Sequence, residues 1–218
     1  MSRDLKRYLI VIFCFMMIGI GCAFTLKAAI GVGAWDALSQ TGYDLTGIKA
    51  GTFSMILNCS CVLVEILVLR KNFRPIQLLQ IPCSIVFGYV TNFVLYTLLG
   101  NITINSYFVR LILFIFGTCW NAVFVSAIMA IDCVTTALEG ACAAVSTKIS
   151  MNYARIRQLV DVVAILVILL LVFLAGAPLS IREGTVIAML IFGPMLGQFT
   201  RRFQKIAYKY DLHNPANY

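Results

Sequence analysis

The 218-residue chain is 61% apolar and only 12% charged, with 17 lysines and arginines against nine acidic residues. A soluble domain carries about 25% charged residues, and one of this length cannot bury so much apolar surface. The composition therefore excludes a soluble globular protein and a disordered chain. The positive charge does not indicate a nucleic-acid partner, because the basic residues lie singly between apolar runs. The sequence predicts a polytopic membrane protein with one domain, residues 1–218, in contact with the lipid bilayer.

Six apolar runs have about the ~20 residues that an α-helix needs to cross a ~30 Å hydrocarbon core. They are too long, and alternate too little, for barrel strands, so the predicted fold is all-α with six transmembrane helices. The predicted spans are Tyr8–Leu26, Ala50–Leu69, Ile76–Leu99, Leu111–Ile131, Val162–Ile181 and Gly184–Thr200. Basic residues precede the first run as they do in a signal peptide, but this run is longer than a usual signal core, so a retained helix is predicted.

The basic residues are distributed unevenly between the predicted loops. With the N-terminus in the cytoplasm, thirteen of the 17 lie on the cytoplasmic side, and only Lys27, Lys49, Arg110 and Arg182 lie outside. Cytoplasmic loops carry an excess of Lys and Arg, so both termini are predicted to be cytoplasmic. The eight cysteines lie mostly inside apolar runs, and the single histidine, His213, is in the polar tail. Since this pattern lacks metal-ligand spacing, neither a metal nor a cofactor is predicted.

Two connections, residues 27–49 and 132–157, are too long for simple turns and carry a helical pattern. They predict short helices over Asp36–Leu45 and Val134–Val145, each opened by an acidic residue suited to an N-cap, Asp36 or Asp132. These helices are too short to span. They either enter the membrane as re-entrant segments or lie flat at its surface as amphipathic helices.

The order helix, short helix, helix, helix occurs twice, over residues 8–99 and 108–203. Ala37-Leu38 also matches Ala137-Leu138 at a spacing of 100 residues. Three spans per repeat is an odd number, so the second repeat must be inverted relative to the first. Inverted repeats with short or broken helices are a recurring plan of membrane transporters.

The glycine-rich segment Gly31–Leu38 resembles the "GxGPWD" signature of the YczE/YyaS/YitT family of bacterial integral membrane proteins, with Ala34 in place of the proline. Arg182–Ile187, Phe192–Pro194 and Asp161 resemble further features of the same family, closest to its YczE-like branch. The resemblance covers nearly the whole chain. It implies a multi-pass protein of the bacterial cytoplasmic (inner) membrane, with a transporter-like role, and it names no substrate.

Ionisable groups inside a membrane are costly and therefore point to function. The predicted substrate site is a central polar cavity with Trp35 on its wall, surrounded by Asp36, Asn58, Asp132 and Asp161. Asp161 and Asp36 are the candidates for ion coupling, because a carboxylate held away from water readily takes up a proton. A structural interpretation stays open, in which Asp36 only caps a helix and Asp161 only pairs with Arg157. The sign of the substrate also stays open, since carboxylates favour cations and helix N-termini favour anions.

These features favour a secondary transporter for a small solute that works by alternating access. The chain lacks the G-x-x-x-x-G-K-[ST] nucleotide-binding motif and the usual hydrolase motifs, so it is not predicted to be an enzyme. Two alternatives stay open. The first is a substrate-binding subunit resembling the S-components of vitamin importers. The second is an accessory membrane protein that supports a biosynthetic complex. A homo-oligomer is also possible.

Overall fold

The computed structural model describes residues 3–209, which form eight α-helices and no strand. His213 lies outside the described residues. Two 3₁₀ turns, Arg70–Asn72 and Pro75–Leu79, lead into the fourth helix, which continues as a π-helical turn over Phe93–Leu98. The helices are α1 Arg3–Ala28, α2 Ala34–Thr46, α3 Ala50–Leu69, α4 Gln80–Asn92, α5 Tyr107–Ile131, α6 Ala137–Ile149, α7 Tyr153–Ala175 and α8 Glu183–Lys209.

Five helical segments are long and apolar enough to cross a membrane: those built on α1, α3, α4, α5 and α7. Many large apolar side chains on them face outward; Phe173 of α7 is 86% exposed. Such a surface requires a bilayer around it, so the structure indicates a multi-pass membrane protein. The sixth predicted span lies within α8, which is long enough at 27 residues but has Pro194 inside it and ends in a basic, polar turn.

The centre of the bundle is the antiparallel pair α1 and α5. The indole Nε1 of Trp120 donates a hydrogen bond to the Met17 carbonyl oxygen at 2.8 Å, while the rings of Phe13 and Phe124 lie 6.1 Å apart, one turn further along. Gly117 packs so closely that a Cβ there would lie 3.0 Å from the carbonyl oxygen of Gly21. Small residues at such crossings let membrane helices approach each other, because no side chain separates the backbones.

The other helices pack around this pair in a regular way. The α4 helix packs on α1, and α8 packs on α5. The short helix α2 packs on α7 and α3, and the short helix α6 packs on α3 and α7. The α3 and α4 helices are in extensive contact, whereas α7 and α8 make no comparable contact within residues 3–209. The end of the bundle where α3 ends and α7 begins carries Arg70, Lys71, Lys148 and Arg155, and we name it the basic end.

Two glycines allow the close contact between α3 and α4. A Cβ at Gly88 would lie 2.5 Å from the carbonyl oxygen of Gly51, and a Cβ at Gly51 would lie 2.4 Å from that of Gly88. Asn92 fastens the same crossing: its Nδ2 donates to Thr52 Oγ1 at 2.9 Å, and its Oδ1 accepts from the Gly51 amide at 3.0 Å. The crossing thus combines backbone packing with side-chain hydrogen bonds.

We expect Gly88→Val to separate α3 from α4 and to lower the apparent melting temperature of the purified protein. The new Cβ meets backbone rather than a flexible side chain, and overpacking of this kind costs about 1–3 kcal/mol. The control is Gly197→Ala, because a Cβ at Gly197 meets nothing within 4 Å. Circular dichroism in detergent measures both variants. Equal melting temperatures for Gly88→Val and Gly197→Ala would contradict this packing.

The structure corrects several predicted boundaries. The second short helix runs over Ala137–Ile149, not Val134–Val145, and the first begins at Ala34, not Asp36. The fifth span begins at Tyr153, nine residues before the predicted start, because the polar first turns of α7 are capped by Asn152, whose side chain accepts from the Ala154 amide. Apolar patterns do not locate such a helix start, because turns stabilised by caps and ion pairs can be polar.

Neither Asp36 nor Asp132, the two residues predicted to be N-caps, occupies an N-cap position. The N-cap position of α2 is Gly33, and Asp36 lies in the first helical turn. Asp132 is the C-cap of α5, with a left-handed φ of 51°, and Thr136 takes the N-cap position of α6. A short polar residue such as Asp tolerates this left-handed conformation, which ends one helix rather than beginning the next.

Candidate functional site

A cavity of about 810 Å³ lies in the centre of the bundle, with walls formed mainly by α1, α2, α5, α6, α7 and α8. One part of its wall is apolar and aromatic, with Phe15, Phe87 and Phe192. Residues of α7 and α8 line it on either side of the space that separates these two helices. A cavity of this size holds a small organic molecule.

Polar side chains gather in one part of this cavity. Of the five residues predicted for the site, the cavity brings together four: Trp35, Asp36, Asn58 and Asp161. Asp132 is not among the lining residues, because it ends α5 instead of opening α6. The same part of the lining contains Glu139, Tyr153 and Arg157, which the sequence did not place in the site.

The first turn of α2 contributes Trp35 and Asp36. The indole Nε1 of Trp35 donates to Asn58 Oδ1 on α3 at 3.4 Å, which fixes the ring at the cavity wall. The thiol of Cys22 on α1 lies beside the carboxylate of Asp36. Within residues 3–209, Asp36 forms no ion pair. No cationic side chain of the described residues therefore lies at contact distance to neutralise its negative charge.

Arg157 is the centre of the second polar group. Its Nε lies 3.2 Å from Glu139 Oε1 on α6, and its Nη1 pairs with Asp161 Oδ1 one turn further along α7. The hydroxyl of Tyr153 donates to the other oxygen of Glu139. One arginine thus joins the carboxylates of two helices. The pair Arg157–Asp161, which the sequence left as a structural possibility, is present, and it faces the cavity.

Glu139 is the acidic residue that the sequence-based prediction left out of the site. Asp36 is the third residue of α2 and Glu139 is the third residue of α6, while Asn58 and Asp161 are each the ninth residue of α3 and α7. The same position of each short helix, and the same position of α3 and of α7, thus holds an acidic or amide side chain at the cavity. A spacing of 103 residues relates Asp36 to Glu139 and Asn58 to Asp161, so the signal was present in the sequence. The prediction that Asp132 opens the second short helix hid it.

A separate buried polar cluster lies at the basic end of the bundle. The amide Nε2 of Gln80 contacts Glu65 Oε2 at 3.0 Å and Gln77 Oε1 at 2.8 Å. A Cβ at Gly140 would lie 2.7 Å from Glu65 Oε2, so α6 closes over this cluster. None of these residues lines the central cavity. The cluster joins α3, α4 and α6, and it is distinct from the candidate site.

Residues 5–201 of the chain match the model of a family of unknown function, DUF6198. The chain belongs to this family. The match covers the two short helices and the whole polar part of the cavity. No curated protein and no solved structure matches the chain. The resemblance to the YczE-like branch stays a prediction.

Proposed function

We propose that the protein is a secondary transporter for a small solute, which works by alternating access in the bacterial cytoplasmic membrane. In this proposal α8 is the sixth span, both termini are cytoplasmic, and the basic end faces the cytoplasm. The distribution of basic residues supports this orientation, because Lys and Arg are retained on the cytoplasmic side. The function is an inference from the cavity and its surroundings.

The packing supports two inverted repeats, α1–α4 and α5–α8. If α1 corresponds to α5, and so on along the chain, the contact of α4 with α1 corresponds to that of α8 with α5. The contact of α6 with α3 likewise corresponds to that of α2 with α7. Since α1 and α5 run antiparallel, the operation that relates the halves reverses their direction. An axis in the membrane plane has this effect.

The depth of the polar residues supports re-entrant short helices rather than interfacial ones. Asn58 and Asp161 each lie eight residues from the start of their helix, about 12 Å at a rise of 1.5 Å per residue. In a ~30 Å hydrocarbon core both then lie close to the midplane, although α3 and α7 begin at opposite ends. Because Trp35 contacts Asn58, the first turn of α2 lies at this depth as well.

One observation carries the proposal of alternating access: α3 and α4 are packed together, whereas the corresponding helices α7 and α8 are apart. Two inverted repeats in different conformations place the central cavity in contact with one side. Exchange of the two conformations between the repeats would close α7 on α8 and open α3 from α4. The central site would then be exposed to the opposite side.

The test links α3 to α4 covalently, because the contact between these helices must open during transport. In a cysteine-free background, Thr52→Cys and Asn92→Cys introduce two thiols at a pair of side chains that touch at 2.9 Å. We expect their disulfide to stop uptake into proteoliposomes and reduction to restore it. The matched control is Phe13→Cys with Phe124→Cys across the central pair α1 and α5, where oxidation is expected to leave uptake unchanged. Undiminished uptake with the α3–α4 disulfide formed would refute alternating access by this movement.

The same proteoliposomes separate the transporter from its alternatives. Uptake by the purified chain without any added protein is expected only for a transporter. A binding subunit of a larger importer would bind its solute and accumulate none. An accessory protein of a biosynthetic complex would do neither.

A further inference from the structure

We infer that the cavity binds an organic cation, an amine with an apolar aromatic or aliphatic body, and that Asp36 receives its ammonium group. This inference rests on the proposed function, since it names the substrate class of the same site. It is carried by three observations: the charges in the polar part of the cavity, the distribution of hydrogen-bond acceptors, and the aromatic wall.

The charges favour a cation. Three carboxylates, Asp36, Glu139 and Asp161, line the cavity against two arginines. Arg157 is committed to Glu139 and Asp161, which together outnumber its single charge. Arg201 is exposed and lies on the last part of α8 that lines the cavity. The polar part of the site therefore carries a net negative charge.

The N-termini of the short helices do not reverse this sign. A helix N-terminus carries about half a positive charge, which favours an anion beside it. In both short helices the first turn already contains its own acidic residue, Asp36 in α2 and Glu139 in α6. Glu139 is paired with Arg157, but Asp36 forms no ion pair among the described residues, so its full negative charge exceeds the half charge of the α2 helix end.

The acceptors also favour a ligand that donates hydrogen bonds. The Cys22 thiol, which lies beside the Asp36 carboxylate, is only a weak donor. An ionised carboxylate only accepts hydrogen bonds, and an ammonium group supplies three donors to it.

The wall beside this acceptor-rich part suits the body of such a molecule. Trp35 lines the same cavity as Asp36, and its ring is held in place by Asn58. Aromatic rings attract cations through their faces, and the effect is largest for tryptophan. Phe15, Phe87 and Phe192 provide an apolar wall for the rest of the ligand.

The test uses three probes with the same body and different charge: phenethylammonium, phenethyl alcohol and phenylacetate. Binding to the purified full chain in a non-ionic detergent is measured by calorimetry. We expect phenethylammonium to bind at least tenfold more tightly than the other two probes. Asp36→Asn is expected to reduce its affinity at least tenfold. The matched control is Asp44→Asn, an exposed residue of the same helix that lies outside the cavity lining, and it is expected to bind like the wild type.

Tighter binding of phenylacetate than of phenethylammonium, or equal binding of all three probes, would overturn the inference. So would unchanged affinity in a folded Asp36→Asn protein. If Asp36→Asn does not fold, the ranking of the three probes by the wild-type protein decides. Binding of the amine without its uptake into proteoliposomes would contradict the transporter proposal and support the cation site. Uptake of another solute without amine binding would support the transporter and contradict the cation site.

Discussion

Replacement of Arg157 by methionine is expected to destabilise the folded protein more than removal of any other basic side chain that lines the cavity. The change leaves Glu139 and Asp161 facing each other without their shared cation. The side chains of these acids are only 7% and 16% exposed, so water replaces the arginine poorly. Breaking a buried ion pair costs 3–5 kcal/mol, and the lower part of that range, about 3 kcal/mol, applies where a cavity admits some water. The measurement is the melting temperature of the purified variant in detergent.

Two further variants show whether the loss comes from the unpaired carboxylates. Arg155→Met removes an exposed arginine from the same turn of α7 and is expected to melt like the wild type. The triple variant Arg157→Met, Glu139→Gln, Asp161→Asn removes all three charges. It is expected to recover most of the lost stability, because an uncharged set of similar volume carries no unpaired charge. A single variant as stable as the wild type would show that the three groups do not act as one buried network.

The parts of the fold that depend on hydropathy could be predicted from the sequence. Long apolar runs must be helices in lipid, and five of the spans appear near their predicted places. The two short helices, which were predicted from helical periodicity, also appear near theirs. The boundaries that failed lie in polar segments. Asp132 ends α5 and Asn152 begins α7, and in both cases backbone conformation or a cap decides rather than apolar periodicity.

The candidate site could be predicted only in part, because the predicted start of the second short helix is wrong. Trp35, Asp36 and Asn58 share the cavity because α2 follows α1 after a short glycine-containing link, which is visible in the sequence. In the second half, the start of α6 depends on where the chain leaves the left-handed turn at Asp132. That turn delays the helix to Ala137, so Glu139 rather than Asp132 lies in its first turn, as Asp36 lies in the first turn of α2.

The role of the glycine-rich segment before α2 also depends on contacts that a sequence does not show. Gly31 has a φ of 122°, and a Cβ there would lie 2.5 Å from the Thr185 amide nitrogen. The neighbouring Ile30 carbonyl accepts from the Gly184 amide at 2.9 Å, and Arg182 Nη1 donates to the Ala29 carbonyl at 2.6 Å. The segment therefore anchors the start of α8 by backbone contact.

Gly31→Ala is therefore expected to loosen the start of α8 and to lower both the melting temperature and the affinity for a cavity ligand. A side chain at this φ costs about 1–3 kcal/mol in backbone strain alone, and the contact with the Thr185 backbone adds to it. Gly33→Ala is the matched control two residues away, since Gly33 has a φ of −52° and a Cβ there would meet only Asp36 Oδ2, at 3.8 Å. It should lower the melting temperature much less than Gly31→Ala does, because it introduces no backbone strain and its main cost is that alanine is a poorer N-cap residue than glycine. Melting curves of the two variants in detergent, with phenethylammonium binding measured on the same samples, compare them directly. If both alanines behaved alike, the anchoring of α8 by Gly31 would be wrong, and the glycines would serve only the flexibility of the link.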